Sequence, residues 1–590
     1  MSIRKILLLL LVLVVSFTII SCGQGSSKAK TINRYVISKI QPFDPAKMTD
    51  LYTASIYGDI GEALFSYKYT TDTYQLQPMI AEAMPEVSAD GLTYTIKLRK
   101  DAYFYDPLKE VFTKGKGRAV NAHDFVYSIK RLADPANESG GWWLYDGYIT
   151  GLNEWAKAGA DYSKVVEGYK ALDDYTIQLT LTQPYPQILY TLAMPFTYPV
   201  PKELMDKYGD EWANYPIGTG AYYLNPDETI PDSQYVLTKN PSWHGGKFPA
   251  VDEAGAMITK KLGADVLKKY AGKKLPFADT VVWYVIEESS VQWLKFLNGE
   301  LDFSSIPKDN FDTTVVNGEL TQEMIDKGIT MNINPTLDVT YNFFNMEDPI
   351  LGTNKKLRQA MSMAYNHEKA LEIFYNNRAE LAQTLLPPGL GGYDPNFKNP
   401  YASYNIKKAK ALLAEAGYPG GEGLPVFKYQ MYSASSTHRQ MVEFFADNMK
   451  DIGIKVEPIA GDWPTFLQRI DKHEVQLGGI AWGADYPDAQ NFLQLNYGPN
   501  MAPGPNAANY NSSEFNTLYE KGAFMQQSPE RDKIYAQAAQ IAAEDCPWIM
   551  GVHRLSYALE QPWLTTRVFR DIGAGYSKYL DIDTDMRDAK

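Results

Sequence analysis

At 590 residues the chain is longer than one hydrophobic core usually organises, so two or three domains are expected. Its 45% hydrophobic and 22% charged residues are ordinary for a globular protein. A formal net charge of −13 with no long Lys/Arg run excludes a face built to neutralise nucleic-acid phosphates; an acidic surface mostly serves solubility. The 42 tyrosines, 24 phenylalanines and 11 tryptophans suit either a large core or a surface that grips varied ligands by stacking.

The amino terminus carries a location signal. Arg4 and Lys5 precede an apolar stretch from Ile6 to Ile20 broken only by Ser16 and Thr18. This is the charged start and short apolar region of a secretory signal, too short for a membrane span. Ile19-Ile20-Ser21-Cys22-Gly23 resembles the bacterial lipobox, which implies cleavage after residue 21 and lipidation of Cys22. Several acyl chains would hold the protein on a membrane. Residues 22–30 read as a flexible tether. With Cys22 lipidated only Cys546 remains, so no intrachain disulfide can form and an inert buried thiol is expected.

Taken in chain order, Leu92 to Arg99 alternates with period two and predicts a strand. Asn121 caps a helix from Ala122 to about Ala133, closed by Asp134-Pro135, and Tyr175 to Leu181 repeats the strand pattern. Lys355 to Tyr375 reads as a long amphipathic helical region. Asn405 to Ala416 is a helix stopped by Gly417 and Pro419, and His438 to Asp451 is a helix followed by a strand at Ile454 to Pro458. Ser528-Pro529 opens a last long helix through Ala543. The pattern is mixed α/β.

Motifs for catalysis are missing: no GxSxG, HExxH or CxxC occurs, and the six histidines show no metal-ligand spacing. One segment looks chemically purposeful. Gln476 to Asp488 (QLGGIAWGADYPD) is a strand of small residues with one tryptophan, ending in acids. Glycines weaken a strand unless another backbone must approach closely, as when a bound peptide adds as a strand. Asp485 could then hold a peptide's α-ammonium. It could equally cap the turn before Pro487, and the residues alone leave both readings open.

Several ordered segments carry a family resemblance. Gln77-Pro78-Met79-Ile80-Ala81-Glu82, then Ser88 to Lys100 (SADGLTYTIKLRK), then Asn121 to Arg131 (NAHDFVYSIKR) are similar to the signature of family 5 extracytoplasmic solute-binding proteins, the dipeptide and oligopeptide receptors. Pro216-Ile217-Gly218-Thr219-Gly220-Ala221-Tyr222, Asn240-Pro241-Ser242-Trp243, Arg358 to Ala364 and Ala416-Gly417-Tyr418-Pro419 extend it. The resemblance implies a periplasmic-binding-protein α/β fold, with two lobes around a cleft plus an extra domain on the first lobe. The first lobe would comprise 31–66, 199–337 and 552–590, the extra domain 67–198 and the second lobe 338–551. Ala254 to Ala278 looks like an insertion and is expected to be a solvated surface element.

In function the resemblance implies an exported, periplasmic or cell-surface protein, monomeric and not an enzyme. It would capture oligopeptides by cleft closure for the permease of an ABC importer and need no cofactor or metal. Trp482-Gly483-Ala484-Asp485 matches the family's Trp-x-x-Asp motif, making Asp485 the expected receiver of a peptide's amino terminus. Ala481, Trp482, Gly483, Trp463, Trp142 and Tyr145 would line the cleft. His438 and Arg439, at a helix start, would take the peptide's carboxylate. The alternatives are the same fold binding a nickel chelate, haem, an opine or a sugar, and a surface adhesin or sensor.

Overall fold

The computed structural model describes residues 28–589. The leader and Cys22 lie outside them. Among the described residues no helix is long and apolar enough to cross a membrane.

Three bodies are each organised by their own sheets. The first holds a four-stranded sheet in the order Thr31–Val36, Thr280–Val285, Gln234–Lys239, Tyr222–Leu224. Its second sheet orders Phe303–Ser305, Val552–Glu560 and Thr330–Pro335, so the carboxyl-terminal strand is the middle one. The second body is built on a five-stranded mixed sheet in the order Val456–Ile459, Phe427–Gln430, Leu477–Gly483, Asp338–Phe344, Trp548–Met550. The third carries an antiparallel sheet of Glu86–Val87, Thr93–Lys97, Thr176–Thr180 and Tyr169–Asp173. The first two bodies are the lobes.

Helices form where the sequence supplies caps. Asn121 and Asp124 exchange side-chain and backbone bonds around the start of Ala122–Ala133. Asn405 caps Ile406–Glu415 and Ser528 caps Pro529–Asp545. The predicted Lys355–Tyr375 helix is two helices, Lys355–Ala364 and His367–Tyr375. Between them the Asn366 N–H turns away to Asn448 Oδ1 at 2.7 Å, while its side chain caps the second helix. The helix predicted to begin at His438 begins at Ser436, capped by Ser435. Cys546 is buried, which pushes its thiol up to about 12. Ala254 to Ala278 is more than a solvated element: Ile258, Leu267 and Tyr270 are buried in a cluster with Tyr69, Phe248 and Tyr579. The Tyr270 hydroxyl donates to Asp581 at 2.6 Å.

The lobes are joined by segments that run side by side. Thr336 and Leu337 link Thr330–Pro335 to Asp338–Phe344, and Gly551 links Trp548–Met550 to Val552–Glu560. The Gly551 N–H donates to Thr340 O at 2.8 Å, and a Cβ there would lie 2.3 Å from Thr340 Oγ1. Adjacent crossings of this kind are the layout that hinge closure requires.

The lobes meet in a closed arrangement. Glu288 of the first lobe accepts from the Ser436 N–H at 3.1 Å and from Ser436 Oγ at 2.8 Å. Lys39 pairs with Asp462 at 3.6 Å, and Tyr52 meets Trp463 edge-on at 6.1 Å. The third body touches both lobes. Arg131 grips Asp44 of the first lobe through two bonds of 2.7 and 2.8 Å. Toward the second lobe Gln187 donates to Asp488 at 3.0 Å, and Trp143 stacks on Tyr486 at 6.4 Å.

Candidate functional site

The strand Leu477–Gly483 is the centre of the site, and its pairing explains why. It runs antiparallel to Asp338–Phe344, from Leu477 opposite Phe344 to Gly483 opposite Asp338. The Asn345 N–H donates to Gln476 O and the Ala484 N–H to Leu337 O. Gly478, Ile480 and Trp482 therefore direct their backbone groups to that neighbour, and Gly479, Ala481 and Gly483 direct theirs to the other side. On that other side Phe427–Gln430 pairs only with Leu477 and Gly478. The outward edge from Gly479 to Gly483 thus has no strand beside it among the described residues.

The glycines divide the work. A Cβ on Gly478 would press on the rings of Phe343 and Phe466 at 2.9 and 3.1 Å, and one on Gly479 would meet Tyr429 Oη at 2.4 Å. These two residues are small to admit core neighbours, not a ligand. Gly483 is exposed, and a Cβ there would meet nothing within 4 Å. Room therefore opens at the carboxyl end of the strand.

Asp485 stands beyond that end, half-buried. Its backbone N–H donates to Asn491 Oδ1 at 2.9 Å, and Asn491 Nδ2 returns a bond to Asp485 Oδ2 at 2.9 Å. The same Asn491 Oδ1 accepts from Trp482 Nε1 at 3.0 Å. One fully buried asparagine thus fixes both the tryptophan and the aspartate. Sequence reasoning missed it: Asn491 lies six residues past Asp485, with no pattern to mark it. Burial raises the Asp485 carboxyl to about 6, against the pull of the Asn491 bond. Among the described residues no lysine, arginine or histidine forms an ion pair with it. Asp488, three residues on, is the opposite case: it accepts from Arg531 at 2.8 and 2.9 Å and from Gln187, which makes it structural.

Trp463 opens the helix Trp463–Asp471, capped by Asp462. It lies between Tyr52 of the first lobe and Tyr432 of the second, and its buried indole N–H has no partner among the described residues. Trp142 is half-buried on a short turn of the third body.

The structure corrects two expectations. Tyr145 is wholly buried in the third body's core, because the chain at Trp142–Leu144 turns it inward, so it does not line the cleft. His438 and Arg439 are not arranged to hold a carboxylate. The His438 ring is buried against Tyr432 at 3.8 Å, and desolvation lowers it to about 4, so it is neutral and lends no charge. Arg439 is exposed and donates to Ala434 O at 2.7 Å. The helix start beside them is already occupied by the Glu288 carboxylate. Among the described residues no three His, Cys, Asp or Glu side chains gather as a metal site.

A family model described as bacterial extracellular solute-binding proteins, family 5 middle, matches residues 75–503. A haem-binding protein A of Haemophilus influenzae is 26% identical, covering 96% of this chain and 95% of its own. The periplasmic oligopeptide-binding protein of Escherichia coli is 24% identical, with 92% and 91% covered. Among solved structures, an ABC-transporter-associated periplasmic binding protein of Helicobacter pylori in complex with peptide STSA is 25% identical. It superposes with a TM-score of 0.73 over 94% of this chain and 98% of that one.

Proposed function

Because the chain belongs to the bacterial extracellular solute-binding proteins of family 5, we propose that it captures oligopeptides by closure of its two lobes and delivers them to an ABC importer. One observation carries the choice of ligand. Asp485 is a partly desolvated carboxylate with no cation beside it among the described residues, set at the end of a strand whose outward edge those residues leave free. Burying an unpaired carboxylate is costly, and the cost is removed by a cation that arrives with the ligand. A peptide's α-ammonium is such a cation, and its main chain can add to Gly479, Ala481 and Gly483 as an extra strand. Recognition through main chain and amino terminus tolerates many side chains. The aromatic residues Trp482, Trp463 and Trp142 supply apolar contact without a fixed sequence demand.

The protein binds and releases its ligand unchanged. It works as a monomer outside the cytoplasm, held to a membrane by lipidated Cys22, and hands the peptide to a permease. No cofactor enters this account. The haem-binding relative from Haemophilus favours a second reading, haem as the ligand. The two readings separate in a calorimetric titration of the purified protein with tetraalanine, amino-acetylated tetraalanine and haemin. The peptide reading expects the free-amino peptide to bind at least about tenfold tighter than the acetylated one. Equal affinities would remove Asp485 as amino-end receiver, and saturable haemin binding without peptide binding would replace the peptide reading.

A further inference from the structure

A patch of lysines gathers on the first lobe, beside the point where its first strand begins. We propose that residues 247–274 dock this lobe on an anionic phospholipid surface, as an electrostatic complement to acyl chains on Cys22. This rests on the reading above that the protein is exported and held to a membrane.

Composition sets the segment apart. The whole chain carries a formal charge of −13, yet residues 247–274 hold seven lysines against three acids, Asp252, Glu253 and Asp265. No lysine run longer than two marks them; folding brings them together. Lys260 and Lys261 stand in the last turn of the helix Ala256–Leu262, and Lys268 and Lys269 in the last turn of Ala264–Tyr270. The chain then turns so that Lys274 lies across an antiparallel bridge from Lys247. The ammonium groups of Lys269 and Lys273 both stand over the Tyr270 ring, at 5.3 and 4.9 Å. Only Lys261 has an ion-pair partner among the described residues, Glu560 at 3.3 Å. Lys247, Lys260, Lys268, Lys269, Lys273 and Lys274 are exposed. Like charges directly opposite each other across strands are destabilising, and no carboxylate among the described residues pairs with Lys247 or Lys274. An anionic surface supplies what the chain withholds. Met257, 64% exposed one turn before Lys260 and Lys261, gives the patch an apolar point that can enter a headgroup layer.

Position selects a membrane as that surface. The buried Asp581 carboxylate accepts from the Tyr270 hydroxyl at 2.6 Å and, through its other oxygen, from Lys30 Nζ at 2.5 Å. The Lys30 N–H is held in turn by Asp279 at 3.0 Å, five residues past Lys274. The ring beneath Lys269 and Lys273 thus shares one carboxylate with the root of the first strand. Cys22 lies six residues before Lys28, a span of at most about 20 Å even when fully extended. A lipid surface that holds Cys22 is therefore within reach of the patch. Each lysine brought to such a surface strengthens attachment about fivefold. Acyl chains fix how far the body can stray but leave it free to turn about the tether; the patch fixes which face meets the lipid.

The test uses the full lipidated chain in phosphatidylcholine vesicles with and without phosphatidylglycerol. Because Cys546 is buried, Ala264→Cys, exposed one turn before Lys268, takes a single fluorescent label. A headgroup-attached quencher should dim that label severalfold more in the phosphatidylglycerol vesicles. The difference should collapse between about 0.01 and 1 M salt, as the screening length falls from about 30 to 3 Å. Replacing Lys268, Lys269, Lys273 and Lys274 together by Gln should abolish it at low salt while thermal unfolding stays nearly unchanged. Quenching that is equal in both vesicles, insensitive to salt, or unaltered in the quadruple variant would overturn the proposal. Mass spectrometry of the same preparation reads the acyl groups on Cys22. Their absence would overturn the anchor alone, and the quenching comparison, made by adding vesicles to the protein, then decides the patch by itself. Phosphatidylglycerol-dependent quenching that the quadruple variant loses supports it, and no such quenching overturns it.

Discussion

Replacing Asp485 by alanine is expected to weaken binding of free-amino peptides by about 2–5 kcal/mol, thirtyfold or more, while amino-acetylated peptides lose little. The size follows from burial. A surface ion pair is worth at most about 1 kcal/mol, but the α-ammonium meets a carboxylate partly withdrawn from water and oriented by Asn491. Removing the carboxylate leaves the ammonium desolvated and unpaired. The acetylated peptide never made that contact, so the variant takes nothing from it.

Proton linkage gives the same substitution a second signature. The free protein holds the Asp485 carboxyl at about 6, above the ordinary 3.8. A raised carboxyl favours its neutral form. Its contribution to the stability of the unliganded protein is therefore fully present below the ordinary value and is lost as pH rises through about 6. Ligand binding has the opposite sense, because the ammonium needs the ionised carboxylate. Affinity for free-amino peptides should rise as pH climbs through 6, where the α-amino group remains protonated. Both trends should vanish in Asp485→Ala. A pH profile of affinity that matches in the wild type and the variant would separate Asp485 from the ligand.

The largest expected effect on stability is at Arg131. Its guanidinium and the Asp44 carboxylate are both about 5% exposed and form two bonds between the third body and the first lobe. Arg131→Met leaves Asp44 buried with the Ala46 N–H, at 2.9 Å, as its one remaining side-chain donor among the described residues, and breaking one side of a buried pair costs about 3–5 kcal/mol. It also takes the cation off the Trp212 ring, 4.9 Å away. The exposed helical pair Lys202–Asp206 should contribute little by comparison. Thermal unfolding followed by circular dichroism should show a clear drop for Arg131→Met. Adding Asp44→Asn should recover part of it, since the stranded charge is gone. No drop in the single variant would mean that water reaches Asp44 and that the third body is held elsewhere.

What could be read from the sequence was what local chemistry decides. Asn121, Asn405 and Ser528 announce their helices because a cap acts on the next three residues. The period-two runs around Ile96 and Ile177 announce strands that pair with each other. The break inside Lys355–Tyr375 was not legible, because it depends on Asn448, a residue far along the chain. At the site, the Trp-x-x-Asp pattern located the right strand, but Asp485 and Asp488 look alike in one dimension. Only folding shows that Arg531 and Gln187 occupy Asp488 while Asp485 is left without a cation. Asn491 carries no motif, and Glu288 acts through Ser436, a partner distant in sequence. His438 misled because its helix starts two residues earlier and turns the ring into the protein.

The most direct measurement is the mass spectrum of whatever co-purifies with the protein, released by gentle denaturation. The expected result is a mixture of short peptides with free amino ends and varied side chains, absent from preparations of Asp485→Ala. Haem or a metal chelate in place of peptides, recovered equally from the wild type and the variant, would contradict it.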